Sequence, residues 1–147
     1  MIQASLRLTG QRGILSGFRF DETCFADSEN CIFVDEVPHP LLFTRLAAIV
    51  HHGGSGTTAT AAQAGVPQII VPHILDQYYW AEKVFRCGLG PKPIRRSRLT
   101  ALRLSNAINQ CVSGPGYYDR TAAIAEEIKK QDSLGLAVDY IEKTYFN

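Results

Sequence analysis

The fold class this sequence predicts is a doubly wound α/β domain, a parallel sheet with helices on both faces, closed by a helical tail. Three observations predict it. The apolar runs at 13–17, 31–34, 47–50 and 68–71 are short and lack alternating polar positions, as strands buried on both faces do. Helical patterns separate the later runs, which implies crossover connections and parallel pairing. Beyond about residue 98, three helical periodicities follow one another with no strand between them. A chain of 147 residues with 46% apolar content suits one domain and is short for two. The chain is therefore read as a single domain over 1–147, with an α/β core over 1–97 and a helical tail over 98–147.

Taken in order, Ile2, Leu6 and Leu8 among polar neighbours predict a short helix over 2–11, as if the chain began in mid-element. Gly13-Ile14-Leu15-Ser16-Gly17 reads as a buried strand, 19–30 as a polar loop, and Cys31 to Val34 as a second strand. Pro38-His39-Pro40 opens a short helix through Arg45, since proline fits a first helical turn. Ala47 to Val50 forms a third strand that ends at His51 and His52. Ser55 to Ala64 is an alanine-rich helix stopped by Gly65, with Pro67 just beyond. Gln68 to Val71 is a β-branched strand closed by Pro72. A helix from Asp76 to Cys87 places Tyr79, Val84 and Cys87 on one side and pairs Glu82 with Arg86 at i,i+4. In the tail, Leu104, Ala107, Ile108, Cys111 and Val112 mark an amphipathic helix stopped by Ser113-Gly114-Pro115-Gly116. Tyr117, Thr121, Ile124 and Ile128 mark the next, and Leu134, Ala137, Val138, Ile141 and Tyr145 the last.

Composition narrows the function. Fifteen basic and fourteen acidic side chains leave a net charge of +1, too little to build a field for nucleic acid or an anionic membrane. Arg95, Arg96 and Arg98 form one basic cluster, read as a solvated loop. Cysteines at 24, 31, 87 and 111 show neither a CxxC pair nor a zinc spacing and are read as reduced, mostly buried thiols. No apolar run reaches the roughly 20 residues of a membrane span, and the first residues lack the form of a signal peptide. A soluble, cytoplasmic domain is expected.

The chemistry concentrates in HHGGSGTT, His51 to Thr58. In an open parallel sheet, ligands sit beyond the carboxyl ends of the strands, and this segment leaves such an end to enter a helix. The first amides of a helix lack internal partners and carry the positive end of its dipole, so they seat anions. Glycines at 53, 54 and 56 admit a ligand close to the backbone, while Ser55, Thr57 and Thr58 offer hydroxyls. A phosphate or diphosphate fits, and a histidine at the strand end adds a donor. Any strand-to-helix turn also favours glycine and hydroxyl caps, so the stretch alone leaves anion binding and plain turn chemistry open. One strand over, Asp76 and Gln77 present a carboxylate and an amide to the same edge, a pair suited to sugar hydroxyls. Gly54-x-Gly56-x-x-Ala59, with Asp76 about twenty residues on, partly matches the dinucleotide fingerprint; an oxidoreductase fragment is the rival reading. A non-catalytic nucleotide-sugar-binding module acting with a partner chain is another.

The run from Val37 to Pro91, about a third of the chain, resembles the donor-binding half of GT-B glycosyltransferases of the UDP-glycosyltransferase superfamily. It looks most like the sterol glucosyltransferases and the bacterial antibiotic glycosyltransferases. The resemblance implies a Rossmann-like doubly wound sheet, the C-terminal half of a GT-B fold, lacking its first strand. It implies a donor diphosphate on His52, Gly54, Ser55, Gly56 and Thr57, sugar hydroxyls on Asp76 and Gln77, and the base against the backbone near Val37. Thr60 stands where plant-type members carry a ribose-binding glutamate, and Phe18-Arg19 where many carry a tryptophan, so UDP and dTDP both stay open. The implied activity is hexose transfer from a nucleoside diphosphate sugar to a lipid-like or small-molecule hydroxyl, with neither metal nor cofactor. The catalytic base is expected in an N-terminal acceptor domain or separate subunit, and no catalytic residue in this chain. A lipid acceptor at a membrane, and pairing of two copies through the last helix, are the other partners implied.

Overall fold

A computed structural model describes residues 1–17, 30–114 and 116–146. The elements run α1 (Ile2–Thr9), β1 (Gly13–Ser16), β2 (Cys31–Val34), α2 (His39–Phe43), β3 (Ile49–His51), α3 (Ser55–Ala64), β4 (Gln68–Ile70), α4 (Asp76–Arg86), α5 (Ala101–Ser113), α6 (Tyr117–Lys130) and α7 (Ser133–Tyr145). Each helix and strand read from the sequence is present within a few residues. The polar loop lies outside the described residues except for Asn30, as do Cys24 and Phe18-Arg19.

Pairing is parallel throughout. β1 pairs with β2 from Gly13 opposite Cys31 to Ser16 opposite Val34, and β3 pairs with β4 from Ile49 opposite Gln68 to His51 opposite Ile70. Among the described residues these are two separate two-stranded pairs rather than one continuous ladder. The second pair is extended on its far side by an irregular segment. Gln68 N–H donates to the Leu89 carbonyl at 2.9 Å and Ile94 N–H to the Ile70 carbonyl at 3.0 Å, while Pro91 and Pro93 interrupt a regular ladder. Gly90 permits this approach: a Cβ there would lie 1.8 Å from the Gln68 carbonyl oxygen.

β4 is the centre of the core, and its side chains divide between the two faces as the pleat requires. Ile69 packs with Val71, Ile94, Leu104, Ala107, Ile108 and Cys111 on the α5 side. Ile70 packs with Ala81, Val84 and Leu89 on the α4 side. Phe43, Ile49, Ala61 and Val66 join α2 and α3 beside β3. Helices thus cover both faces of β4, and α5, the first helix of the tail, belongs to the core. Each buried Ile or Leu contributes about 1.5–3 kcal/mol of transfer free energy.

Four expectations are corrected. β1 and β2 are not buried: Ile14 is exposed on β1, and on β2 the adjacent Ile32 and Phe33 are both exposed, so side chains on both faces of that strand reach solvent. β3 starts at Ile49 rather than Ala47, consistent with the low strand preference of alanine, and it includes His51. The buried side of α4 is Ala81 and Val84, with Tyr79 and Cys87 exposed. Of the described cysteines only Cys111 is buried; Cys31 is half-buried and Cys87 exposed. Among the described residues no helix is long and apolar enough to cross a membrane.

Candidate functional site at the carboxyl edge of the sheet

The turn from β3 into α3 is built on a chain of hydrogen bonds. The Gly53 N–H donates to His51 Nδ1 at 3.2 Å, so His51 carries its proton on Nε2, which faces Gln68 Oε1 at 3.0 Å. Gln68 Nε2 in turn donates to the Thr58 carbonyl at 3.3 Å. Gln68 is wholly buried, and these contacts use its amide on both sides. Burial depresses the His51 pKa to about 4, the Gln68 hydrogen bond partly opposing it and the neighbouring His52 charge adding to it. His51 is accordingly a neutral strut. Both residues are visible in the sequence, a histidine at the end of one strand and a glutamine at the start of the next, but parallel register is needed to set them two positions apart along the ladder, where the side chains meet.

His52 is exposed, and its ring lies over Gly54, where a Cβ would come 2.7 Å from Nε2. Gly54 caps α3 in an extended conformation. The first intrahelical bond is Thr58 N–H to the Gly54 carbonyl at 2.9 Å, so the amides of Ser55, Gly56 and Thr57 precede the ladder. Ser55 and Gly56 are exposed and Thr57 half-buried, which leaves this seat open to solvent. Thr58 is different: it is buried, and its hydroxyl donates back to the Gly54 carbonyl at 2.9 Å.

Gly53 couples the two loops. Its φ of +93° favours glycine, and a Cβ there would meet Ile70 Cγ2 at 2.8 Å and the Gln77 carbonyl oxygen at 3.1 Å. The start of α3 and the start of α4 therefore lie side by side at one sheet edge. Asp76 occupies the first turn of α4, exposed. Gln77 is partly engaged: its Oε1 accepts from the amides of His73 at 2.8 Å and Ile74 at 3.1 Å, which leaves its NH₂ group as the donor. Leu75 precedes Asp76 with φ +46° and ψ −123°, a strained geometry for leucine worth on the order of 1–3 kcal/mol.

Val37 stands apart from this cluster. It lines a cleft of about 590 Å³ with Ser16, Gly17, Asp35, Glu36, Pro38 and His39, beyond the ends of β1 and β2. His39 stacks on Phe43 with ring centres 4.7 Å apart. A second cleft, about 740 Å³, is lined by Tyr78, Arg95, Arg96 and Ser97 beside the first turn of α4.

The family described as erythromycin biosynthesis protein CIII-like, C-terminal domain, matches residues 23–135. The chain belongs to this family. Among curated relatives, it is 36% identical over 141 residues to a sterol 3-beta-glucosyltransferase of Arabidopsis thaliana, covering 95% of this chain and 23% of that protein. It is 45% identical over 86 residues to the vancomycin aglycone glucosyltransferase of Amycolatopsis orientalis, covering 58% of this chain and 21% of that protein. The chain thus spans about a quarter of the length of these relatives. Among solved structures, glycosyltransferase VinC in complex with dTDP superposes with a TM-score of 0.83 at 27% identity, covering 97% of this chain and 37% of that one. Among the described residues, the parallel strands and seven α-helices of this CIII-like domain match the C-terminal domain of GT-B glycosyltransferases.

Proposed function

We propose that the chain is the donor-binding domain of an inverting glycosyltransferase that moves a hexose from a nucleoside diphosphate sugar to the hydroxyl of a lipid-like or small-molecule acceptor. The observation that carries this is the packing of Gly53 against the Gln77 backbone, which sets an exposed helix N-terminus beside Asp76 and Gln77. In this reading the amides of Ser55, Gly56 and Thr57, with His52 and the open approach at Gly54, hold the diphosphate. Asp76 accepts from sugar hydroxyls and Gln77 donates to them through its NH₂ group. The base, of UDP or dTDP, lies against the backbone near Val37.

A base supplied by an acceptor half outside this chain takes the acceptor proton. The acceptor oxygen then attacks the anomeric carbon as the bond to the diphosphate oxygen breaks. The departing diphosphate gains negative charge, which the α3 amides and His52 stabilise. This scheme calls on no metal ion. The domain forms one unit over 1–147, acts in the cytoplasm, and on its own binds donor without transferring sugar. The apolar face of α7, with Leu134, Val138, Ile141 and Tyr145 exposed, meets either the acceptor half or a second copy.

Calorimetric titration with UDP-glucose and with NADH tests the assignment. Heat with UDP-glucose and none with NADH is expected; the reverse assigns the domain to dinucleotide chemistry. His52→Ala and Asp76→Ala should each weaken UDP-glucose binding by about 1–3 kcal/mol. Gln77→Glu keeps an acceptor for the His73 and Ile74 amides but loses the NH₂ donor. It should bind UDP as the parent does and UDP-glucose more weakly.

A further inference from the structure

Residues 74–77 hold the most strained backbone described. The Gln77 N–H donates to the Ile74 carbonyl at 3.1 Å, closing a four-residue turn. Leu75 takes its first central position with φ +46° and ψ −123°. This is type II′ geometry, where glycine is the natural occupant because it lacks a Cβ. Leu75 is the one non-glycine residue with positive φ among the described residues.

Burial does not explain the leucine. Its side chain is 83% exposed, and that of Ile74 59%. The turn is nevertheless held in place, because Gln77 Oε1 ties down the amides of His73 and Ile74. Local preference favours glycine here, and packing gains nothing from leucine. A residue that costs stability and presents an apolar surface to solvent is one used in contact with something else.

We propose that Ile74 and Leu75 form an apolar lip that packs against the carbon skeleton of the glycosyl acceptor, a polycyclic or lipid-like alcohol. The inference rests on Asp76 and Gln77 as the sugar clamp: the acceptor hydroxyl must reach the anomeric carbon held there, so its carbon body lies beside the clamp. The donor cannot be the occupant. Its sugar and diphosphate are polar or charged, and burying them against leucine and isoleucine would forfeit hydration without return.

Saturation-transfer NMR on the 147-residue chain tests the lip, using dehydroepiandrosterone, a 3β-hydroxysteroid, with and without UDP-glucose. Parent, Leu75→Gly and Leu75→Asn are compared, the last two being residues that this turn accepts. Transfer to the steroid is expected with the parent and should fall about threefold or more in both variants, as loss of part of a leucine's contact area would give. The melting temperature of Leu75→Gly should be unchanged or higher. Equal transfer in all three, no transfer with the parent, or a melting temperature several degrees lower for Leu75→Gly would overturn the lip. Steroid transfer that depends on Leu75 in a chain that ignores UDP-glucose would keep the lip and overturn the donor reading instead.

Discussion

His51 and His52 are adjacent in sequence and opposite in role. His51 is half-buried between Gly53 and Gln68, with its pKa depressed to about 4, whereas His52 is exposed above Gly54. The folded value for His51 lies below that of an unfolded chain. Protonation therefore favours unfolding, and the stability it represents is complete above about pH 6.5 and lost as pH falls toward 4. The shift corresponds to roughly 2–3 kcal/mol after allowance for partial exposure. Urea midpoints at about pH 7.5 and about pH 5 should show a marked drop for the parent and a smaller one for His51→Gln, which has no proton to gain. Equal slopes would mean that His51 is charged in the fold.

At the scale of elements, two glycines with unlike surroundings separate folding from binding. Gly90 lies against the Gln68 carbonyl, where an added Cβ would fall at 1.8 Å, and the obstacle is backbone that cannot swing aside. Gly90→Ala should cost about 3 kcal/mol or more, measured by chemical denaturation. Gly56 stands in the first turn of α3 with open space around it. Gly56→Ala should stabilise the helix by about 0.5–1 kcal/mol and still weaken UDP-glucose, since the new methyl group would occupy the approach to the amides. A variant as tight as the parent would remove the α3 N-terminus from the proposed diphosphate site.

These elements were legible in unequal degree. α3 and its stop are local matters, an alanine-rich run with Gly65 in the left-handed conformation after it, and its bounds are those the sequence predicts. α5, α6 and α7 followed from apolar period alone. The exposure of Ile32 and Phe33 was not legible, because an apolar run looks the same whether one face or both are covered. The half-use of Gln77 by its own loop was equally hidden, since a side chain's choice between ligand and backbone depends on where the loop folds.

For the whole molecule, the outstanding feature is α7. It buries no residue, while Leu134, Val138, Tyr140, Ile141 and Tyr145 stand exposed. A surface change there should leave stability within about 0.5 kcal/mol and act on association alone. Sedimentation across a concentration series should show self-association by the parent that is reduced in Ile141→Glu. A monomeric parent with the same melting temperature as the variant would rule out pairing of two copies and leave the proposed acceptor half as the occupant of this face.

The sequence by itself determined the order of strands and helices, the parallel α/β class and the glycine-rich helix start, because each depends on neighbours within a few residues and on an apolar period. Tertiary structure alone decided which histidine is a strut, that Gly53 presses α3 against the first turn of α4, and that Leu75 is strained and exposed. The first two depend on contact between segments some twenty residues apart, which only strand register and close packing set, and the third on how Gln77 folds back on its own loop.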